Sequence, residues 1–253
     1  MKTCVALALW LAALATTARA ESVKLPSYLK QCSRSDPDFN GCVLRNGIAA
    51  IPSLVHGEPK LKVPMLDPLK VEHVRLEQGD GPVGITLDLT DALVYGLKNT
   101  ELKAANFDLK NKELSVDIAV KDTDLQIISK YGIKGKVLVL PINGEGDLNL
   151  TLKNFVGTYK TKYDLYKKDD GLEYIKLTDN EFNFDVSQVF FHFENLFNGD
   201  KALGDNMNVF LNENWQEVLK EIKPVVTEVV RSIISKILTQ IAERVSYDNL
   251  FPN

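Results

Sequence analysis

Between residues 69 and 187 the chain alternates apolar and polar residues with a period of two. Ile85, Leu87 and Leu89 alternate with Thr86, Asp88 and Thr90; Leu114, Val116, Ile118 and Val120 alternate with Ser115, Asp117 and Lys121. The same pattern returns in Leu148, Leu150 and Leu152 and in Phe182, Phe184 and Val186. Alternation of this kind predicts antiparallel strands with one buried and one wet face. Gly79-Asp80-Gly81, Asn111-Lys112, Asn143-Gly144 and Asp169-Asp170-Gly171 supply turn signals between them. Residues 137–140 are apolar throughout, which predicts a strand covered on both faces. Roughly eight or more strands in meander order fit this stretch.

The period then changes to three and four. Leu203, Met207, Phe210, Leu211, Trp215, Val218, Leu219 and Ile222 begin a series that continues through Val226, Val229, Val230, Ile233, Ile234, Ile237, Leu238, Ile241 and Val245. Glu217, Lys220, Glu228, Arg231 and Glu243 occupy the opposite side. The pattern predicts one amphipathic helix of about 45 residues, with Pro224 as a candidate kink. Straight, it would run roughly 65–70 Å, against about 45 Å for a compact chain of this size. The domain is therefore elongated, or the helix bends or breaks. Upstream, Asp36-Pro37-Asp38 reads as the start of a shorter helix that ends near His56-Gly57, with Pro52 as a kink or stop. Many one-faced strands and one long one-faced helix bury their apolar faces together if the sheet curls around the helix. The fold class predicted is thus α+β: a long C-terminal helix wrapped by a strongly curved antiparallel sheet, with a dry cavity wherever the two do not close.

The N-terminus stands outside this scheme. Lys2 precedes an apolar run over residues 4–15 and the small-x-small triplet Ala18-Arg19-Ala20, the pattern of a secretory signal peptide over residues 1–20. The run is short for a membrane span, although an uncleaved anchor would share its composition. Cleavage would leave residues 21–253 as one secreted domain. That domain would carry 28 basic and 34 acidic side chains, a formal charge of −6. The acidic balance and the lack of a basic stripe argue against a nucleic-acid partner, and no later segment is apolar enough for stable membrane insertion.

Chemistry finds little purchase. Cys4 leaves with the signal, and the remaining Cys32 and Cys42 are most simply one disulfide in an oxidising compartment. His56, His73 and His192 have no metal-ligand spacing, and neither a nucleophile elbow nor a phosphate-binding glycine loop occurs, so neither cofactor nor metal is expected. Gly144-Glu145-Gly146 reads as a hairpin glycine pair. His192, within Phe190-Phe191-His192-Phe193, fits a half-buried hydrogen-bonded role better than a base. The aromatic segment 189–197 serves either as a buried connector or as a pocket wall, and Trp215 has the same two readings. Asn149-Leu150-Thr151 is a glycosylation sequon at Asn149, although Leu150 belongs to a strand pattern.

Residues 195–215 carry Asn195-Leu196-Phe197-Asn198-Gly199-Asp200-Lys201, Leu203-Gly204, Asn208 and Phe210-Leu211-Asn212-Glu213-Asn214-Trp215. This block is very similar to the signature of the insect takeout proteins, which share a superfamily with the juvenile hormone binding proteins. The Cys32/Cys42 pair, Val63-Pro64, Leu66-Asp67-Pro68-Leu69 and the ending Tyr247-Asp248-Asn249-Leu250-Phe251-Pro252 match as well. The resemblance implies the same helix-in-sheet fold and a secreted, non-catalytic carrier holding a small lipophilic ligand in an internal tunnel: a terpenoid, fatty acid or isoprenoid. Haemolymph juvenile hormone carriers typically have a second disulfide. With one possible pair, this chain falls with the takeout branch, and juvenile hormone is left unassigned as the ligand.

Candidate lining residues are Leu87, Leu89, Val116, Ile118, Val139, Leu150 and Phe184 from the strands. The helix adds Phe210, Trp215, Leu219, Ile222, Val226, Val229 and Ile233. Ordinary core packing uses the same residue types. Two other functions compete: a secreted hydrolase of lipophilic esters, which needs a nucleophile near one of the three histidines, and a membrane or microbial lipid binder, which the negative charge disfavours at anionic surfaces.

Overall fold

Among the described residues, nine antiparallel strands and two consecutive helices realise the period-two and period-3.6 stretches. The computed structural model describes residues 22–79, 81–120 and 122–253; residues 1–20, expected above to be a signal peptide, lie outside them. A first helix, α1 (Phe39–Leu54), precedes the strands β1 (Leu69–Gln78), β2 (Val83–Tyr95), β3 (Thr100–Asp108), β4 (Glu113–Val120), β5 (Leu125–Val137), β6 (Leu140–Lys153), β7 (Val156–Lys167), β8 (Glu173–Asp185) and β9 (Gln188–Phe193). Then come α2 (Lys201–Glu213), α3 (Trp215–Ala242) and the single turn α4 (Tyr247–Leu250).

The strands are not one meander. They form a five-stranded sheet in the order β1-β2-β5-β6-β9 and a four-stranded sheet in the order β3-β4-β7-β8. Pairs of strands leave one sheet for the other and return, so each sheet collects strands from distant parts of the chain. Together they make the curved wrap, with α3 packed against strands of both. Alternation reveals which face of a strand is buried, not which strand lies beside it.

One expected turn and one expected strand fall elsewhere. Asn143-Gly144 lies inside β6, paired with Lys134 and Ile133, and the β5–β6 hairpin turns at Leu138 and Val139 instead. Residues 137–140 are therefore a hairpin tip rather than a doubly covered strand. The glycines serve close approach: a Cβ at Gly144 would sit 2.9 Å from the Leu196 Cα, and one at Gly146 2.6 Å from the Glu194 carbonyl oxygen.

The long helical stripe is broken once, at Asn214 (φ −110°, ψ 25°) rather than at Pro224. Asn214 closes α2 by donating both its backbone N–H and its Nδ2 to the Phe210 carbonyl, at 3.1 and 2.8 Å. Pro224 lies inside α3 on its exposed side, where water reaches the carbonyl that proline leaves unpaired. At its N-terminus α2 is capped by the Asp200 carboxylate, which accepts from the Leu203 N–H at 3.0 Å.

The signature block builds this junction. Asn208 and Asn212, one turn apart on α2, lie against the open edge of β9. The Asn208 Oδ1 accepts from the Phe193 N–H, and its Nδ2 donates to the Phe193 carbonyl, both at 2.9 Å. Asn212 repeats the pair with Phe191, both at 2.8 Å. Two side-chain amides thus stand in for a tenth strand, covering an edge that would otherwise leave its hydrogen bonds unmade. The inner-facing Val189, Phe191 and Phe193 are buried in the core. His192, by contrast, is exposed (65%) on the outer face with Glu194 3.9 Å away, because alternation turns it opposite to its aromatic neighbours.

Cys32 and Cys42 form a disulfide, with Cα atoms 6.0 Å apart, tying the N-terminal segment to α1. Arg34 secures the other end of the chain: its Nη2 bonds Asp248 at 2.5 Å, and its guanidinium stacks 4.7 Å from the Tyr247 ring centre.

Candidate ligand-binding site

The inside of the wrap is filled unevenly. Facing the five-stranded sheet, the inner residues Leu87, Leu89, Leu148 and Phe191 are buried in one cluster with Met207, Leu211 and Val218. Facing the four-stranded sheet, the second half of α3 borders a hollow of ≈ 350 Å³. Its walls are Ile234, Leu238, Ile241 and Ala242 from α3; Leu114, Val116 and Ile118 from β4; Ile175, Leu177 and Phe182 from β8; Phe107 from β3; Tyr159 from β7; and Leu250 and Phe251 near the C-terminus. The volume falls within the usual range of small-molecule pockets.

Alternation explains the lining. Leu114, Val116 and Ile118 occupy successive same-face positions of β4, and they remain half-buried because nothing fills the space before them. The α3 residues step by four, three and one along a single helical stripe. The rings of Phe39, Phe107 and Phe251 meet edge-to-face, with centroids 5.5–6.1 Å apart, and the last two wall one end of the hollow.

Tyr159 carries the one polar side-chain atom of the lining, and its hydroxyl already donates to the Asn180 Oδ1 at 2.5 Å. Burial pushes this phenol's pKa up, so it stays neutral. Tyr163 and Tyr247 sit buried beside Ile175 and Ala242, with hydroxyls 3.5 Å apart. Burial, followed by that contact, raises the Tyr163 pKa too. A larger groove of ≈ 680 Å³ elsewhere on the four-stranded sheet is lined by Asp108, Glu113, Lys160, Lys162 and Glu181; it is a solvated mixed-charge surface with nothing to desolvate a lipid.

Of the residues predicted to line a tunnel, Val116 and Ile118 border the hollow. Leu87 and Leu89 are buried in the filled core, and Leu150, Phe210, Trp215, Leu219, Ile222, Val226 and Val229 pack against it. Phe184 lies behind Phe182 in a neighbouring aromatic cluster. Ile233 is half-buried on α3 one residue short of the lining. Val139 is a correction: at the β5–β6 hairpin tip it is 86% exposed and faces solvent. Asn149 is exposed in mid-strand on β6, across from Ile128 and His192, rather than at a turn.

Sequence reading passed over the other walls. Phe182 shares a face with Phe184, and Ile234, Leu238 and Ile241 continue the predicted helical stripe, so periodicity held the signal without separating hollow from fill. Phe107, Leu250 and Phe251 belong to segments that meet only in the fold.

His56, His73 and His192 are all exposed and none borders the hollow. Among the described residues no group of three His, Cys, Asp or Glu is placed to hold a metal ion, and no helix is long and apolar enough to cross a membrane.

An apolar hollow held between one helix and a curved antiparallel wrap defines a protein that sequesters lipophilic molecules. The chain belongs to the haemolymph juvenile hormone binding protein family, whose profile matches residues 7–252. It is 28% identical over 232 residues to the circadian clock-controlled protein daywake of Drosophila melanogaster, covering 89% of this chain and 88% of that protein. A putative beta-carotene-binding protein of Schistocerca gregaria is 22% identical over 221 residues, 86% of each chain. The crystal structure of Epiphyas postvittana Takeout 1 superposes with a TM-score of 0.76 at 28% identity, over 88% of this chain and 99% of that one.

Proposed function

We propose that the protein is a secreted, non-catalytic carrier that holds a terpenoid, fatty acid or isoprenoid in the hollow between α3 and the four-stranded sheet. The observation that carries this reading is the lining itself: a single polar side-chain atom, already hydrogen-bonded, among otherwise apolar walls. Such a surface rewards hydrocarbon by about 0.8 kcal/mol per buried methylene and gives a charged ligand no compensation for lost water. The family's description and the name of the locust relative point to the same class of ligand. A hydrolase would need a nucleophile and a base at the reacting bond, whereas the lining holds no Ser, His, Cys, Asp or Glu.

Native mass spectrometry of the protein recovered from a eukaryotic secretion host, followed by organic extraction, tests the reading. The expected result is a bound lipophile that dissociates chemically unchanged. A protein that arrives empty and displaces no fluorescent fatty acid or terpenoid would sink it, and recovery of hydrolysed product would favour the enzyme instead.

A further inference from the structure

The apolar stripe of α3 runs from Leu219 to Ala242, yet the hollow begins only at Ile234. Three phenylalanine rings stand at that boundary. Phe182 and Phe184, two residues apart on β8, face inward together; their ring centres are 6.1 Å apart and their planes 19° from parallel. Phe155, just before β7, extends the stack on Phe184 at 5.8 Å and 17°. Phe182 is a wall of the hollow, whereas Phe184, 3% exposed, is not; both belong to one cluster that packs on α3 from Leu219 through Val226 and Val230 to Ile234 and Leu238.

The surroundings are shaped to hold this stack. Gly157 lies directly across from Phe184 in the β7–β8 register. A Cβ there would come 3.2 Å from one carbon of the Phe182 ring and 3.3 Å from one of the Phe155 ring. The strand thus lacks a side chain at the inward position the rings occupy. From α3, Lys223 places its ammonium 5.3 Å from the Phe184 ring centre while pairing with Asp185 at 2.9 Å.

We propose that the stack is the carrier's chain-length stop: Phe182 is the surface met by the far end of a bound ligand, and Phe184 and Phe155 hold it in place. This rests on the carrier reading above and narrows the ligand to medium-length lipophiles. The hollow follows α3 from Ile234 to Ala242, roughly 12 Å at 1.5 Å per residue. An extended chain advances about 1.2 Å per bond, since a residue spans about 3.6 Å over three bonds, so the hollow takes a chain of about ten carbons. Beyond the stack α3 continues for roughly 22 Å, its apolar residues from Leu219 to Val229 packed against the filled core.

Straight-chain fatty acids from about 8 to about 18 carbons, titrated against the full chain by displacement of a fluorescent probe, test the stop. Each methylene that finds room tightens binding about fourfold. In the native protein the rise is expected to end near ten to twelve carbons, by that length estimate. Phe184→Ala moves the break longer by about four carbons, and Leu177→Phe, which adds bulk inside the hollow across from Tyr163 and away from the stack, moves it shorter. Should Phe184→Ala fail to fold, Phe184→Leu reads the same break with a smaller shift. A native affinity that climbs steadily to the longest acid overturns the stop and leaves the carrier standing. So does a break that stays put in a folded Phe184 variant. A native protein that binds no acid of any length overturns the stop, and the carrier falls with it only if the protein also arrives empty and displaces no terpenoid probe.

Discussion

Against the five-stranded sheet, Leu219, Ile222 and Val226 of α3 pack against a cluster in which Leu87, Leu89, Leu148 and Phe191 are buried, and the space is filled. Against the four-stranded sheet, Ile234, Leu238 and Ile241 continue the same stripe and face a hollow instead. One helix, one apolar stripe and one kind of strand alternation therefore produce both a packed core and a cavity. The difference lies in how the partners are held. The first sheet has α2 laid along its β9 edge and sealed there by two asparagines. In the second, the hollow lies between the last turns of α3 and the inward residues of β4 and β8, and the β7 residue that borders it is Tyr159. Emptiness is thus a property of the facing surfaces, not of the helix.

The largest expected contrast is between Leu148→Ala and Leu238→Ala. Leu148 is 1% exposed in the filled half, and its truncation should cost about 3–4 kcal/mol through lost transfer energy and a new cavity. Leu238 already borders space, so the same change should cost less than about 1.5 kcal/mol. Urea midpoints measured on both variants check this, and equal costs would erase the distinction between the halves.

Smaller, and confined to the filled half, is Asn212→Ala. It leaves the Phe191 N–H and carbonyl without their partners and should lower stability by about 1–3 kcal/mol, while the affinity for a hydrophobic probe stays unchanged. Lost probe binding would mean that the β9 edge and the hollow are coupled.

Tyr131→Phe tests the core's response to alkali. Burial, followed by the nearby Glu145 and Glu194 charges, pushes the Tyr131 phenol up to about 12, and its hydroxyl donates to the Glu194 carbonyl at 2.6 Å. A phenol whose pKa is raised on folding contributes stability fully below the unfolded value near 10, and that contribution is lost as pH rises through about 12. The native urea midpoint should therefore fall over this window. The phenylalanine variant should start about 1 kcal/mol lower at neutral pH and fall less steeply; parallel slopes would show that other groups carry the alkaline loss. Smallest of all, Val139→Asp at the exposed hairpin tip should change stability by no more than about 0.5 kcal/mol and leave binding untouched, as repeated melts and probe titrations would show.

Much of this molecule is legible in its residues. Period two over residues 69–187, the helical stripe after residue 201 and the lone cysteine pair foretell strands, helices and disulfide, because side-chain burial on one face follows directly from backbone repeat. The Asn195–Trp215 block points to the takeout family before any coordinates. Sheet order, the break at Asn214 and the hairpin at Leu138 and Val139 are not legible in the same way, since they depend on which distant strands pair and on what a side chain meets across the fold. The hollow is the clearest case. Leu219 and Leu238 are the same residue type on the same stripe of the same helix, and no local pattern separates them. Apolar character was determined by the sequence alone, because burying apolar surface is favoured wherever a facing element offers cover; Val139 at its hairpin tip has none. Whether the interior they meet is filled or empty was decided only in three dimensions, where Phe182, Phe184 and Phe155 stack over Gly157 and end the cavity.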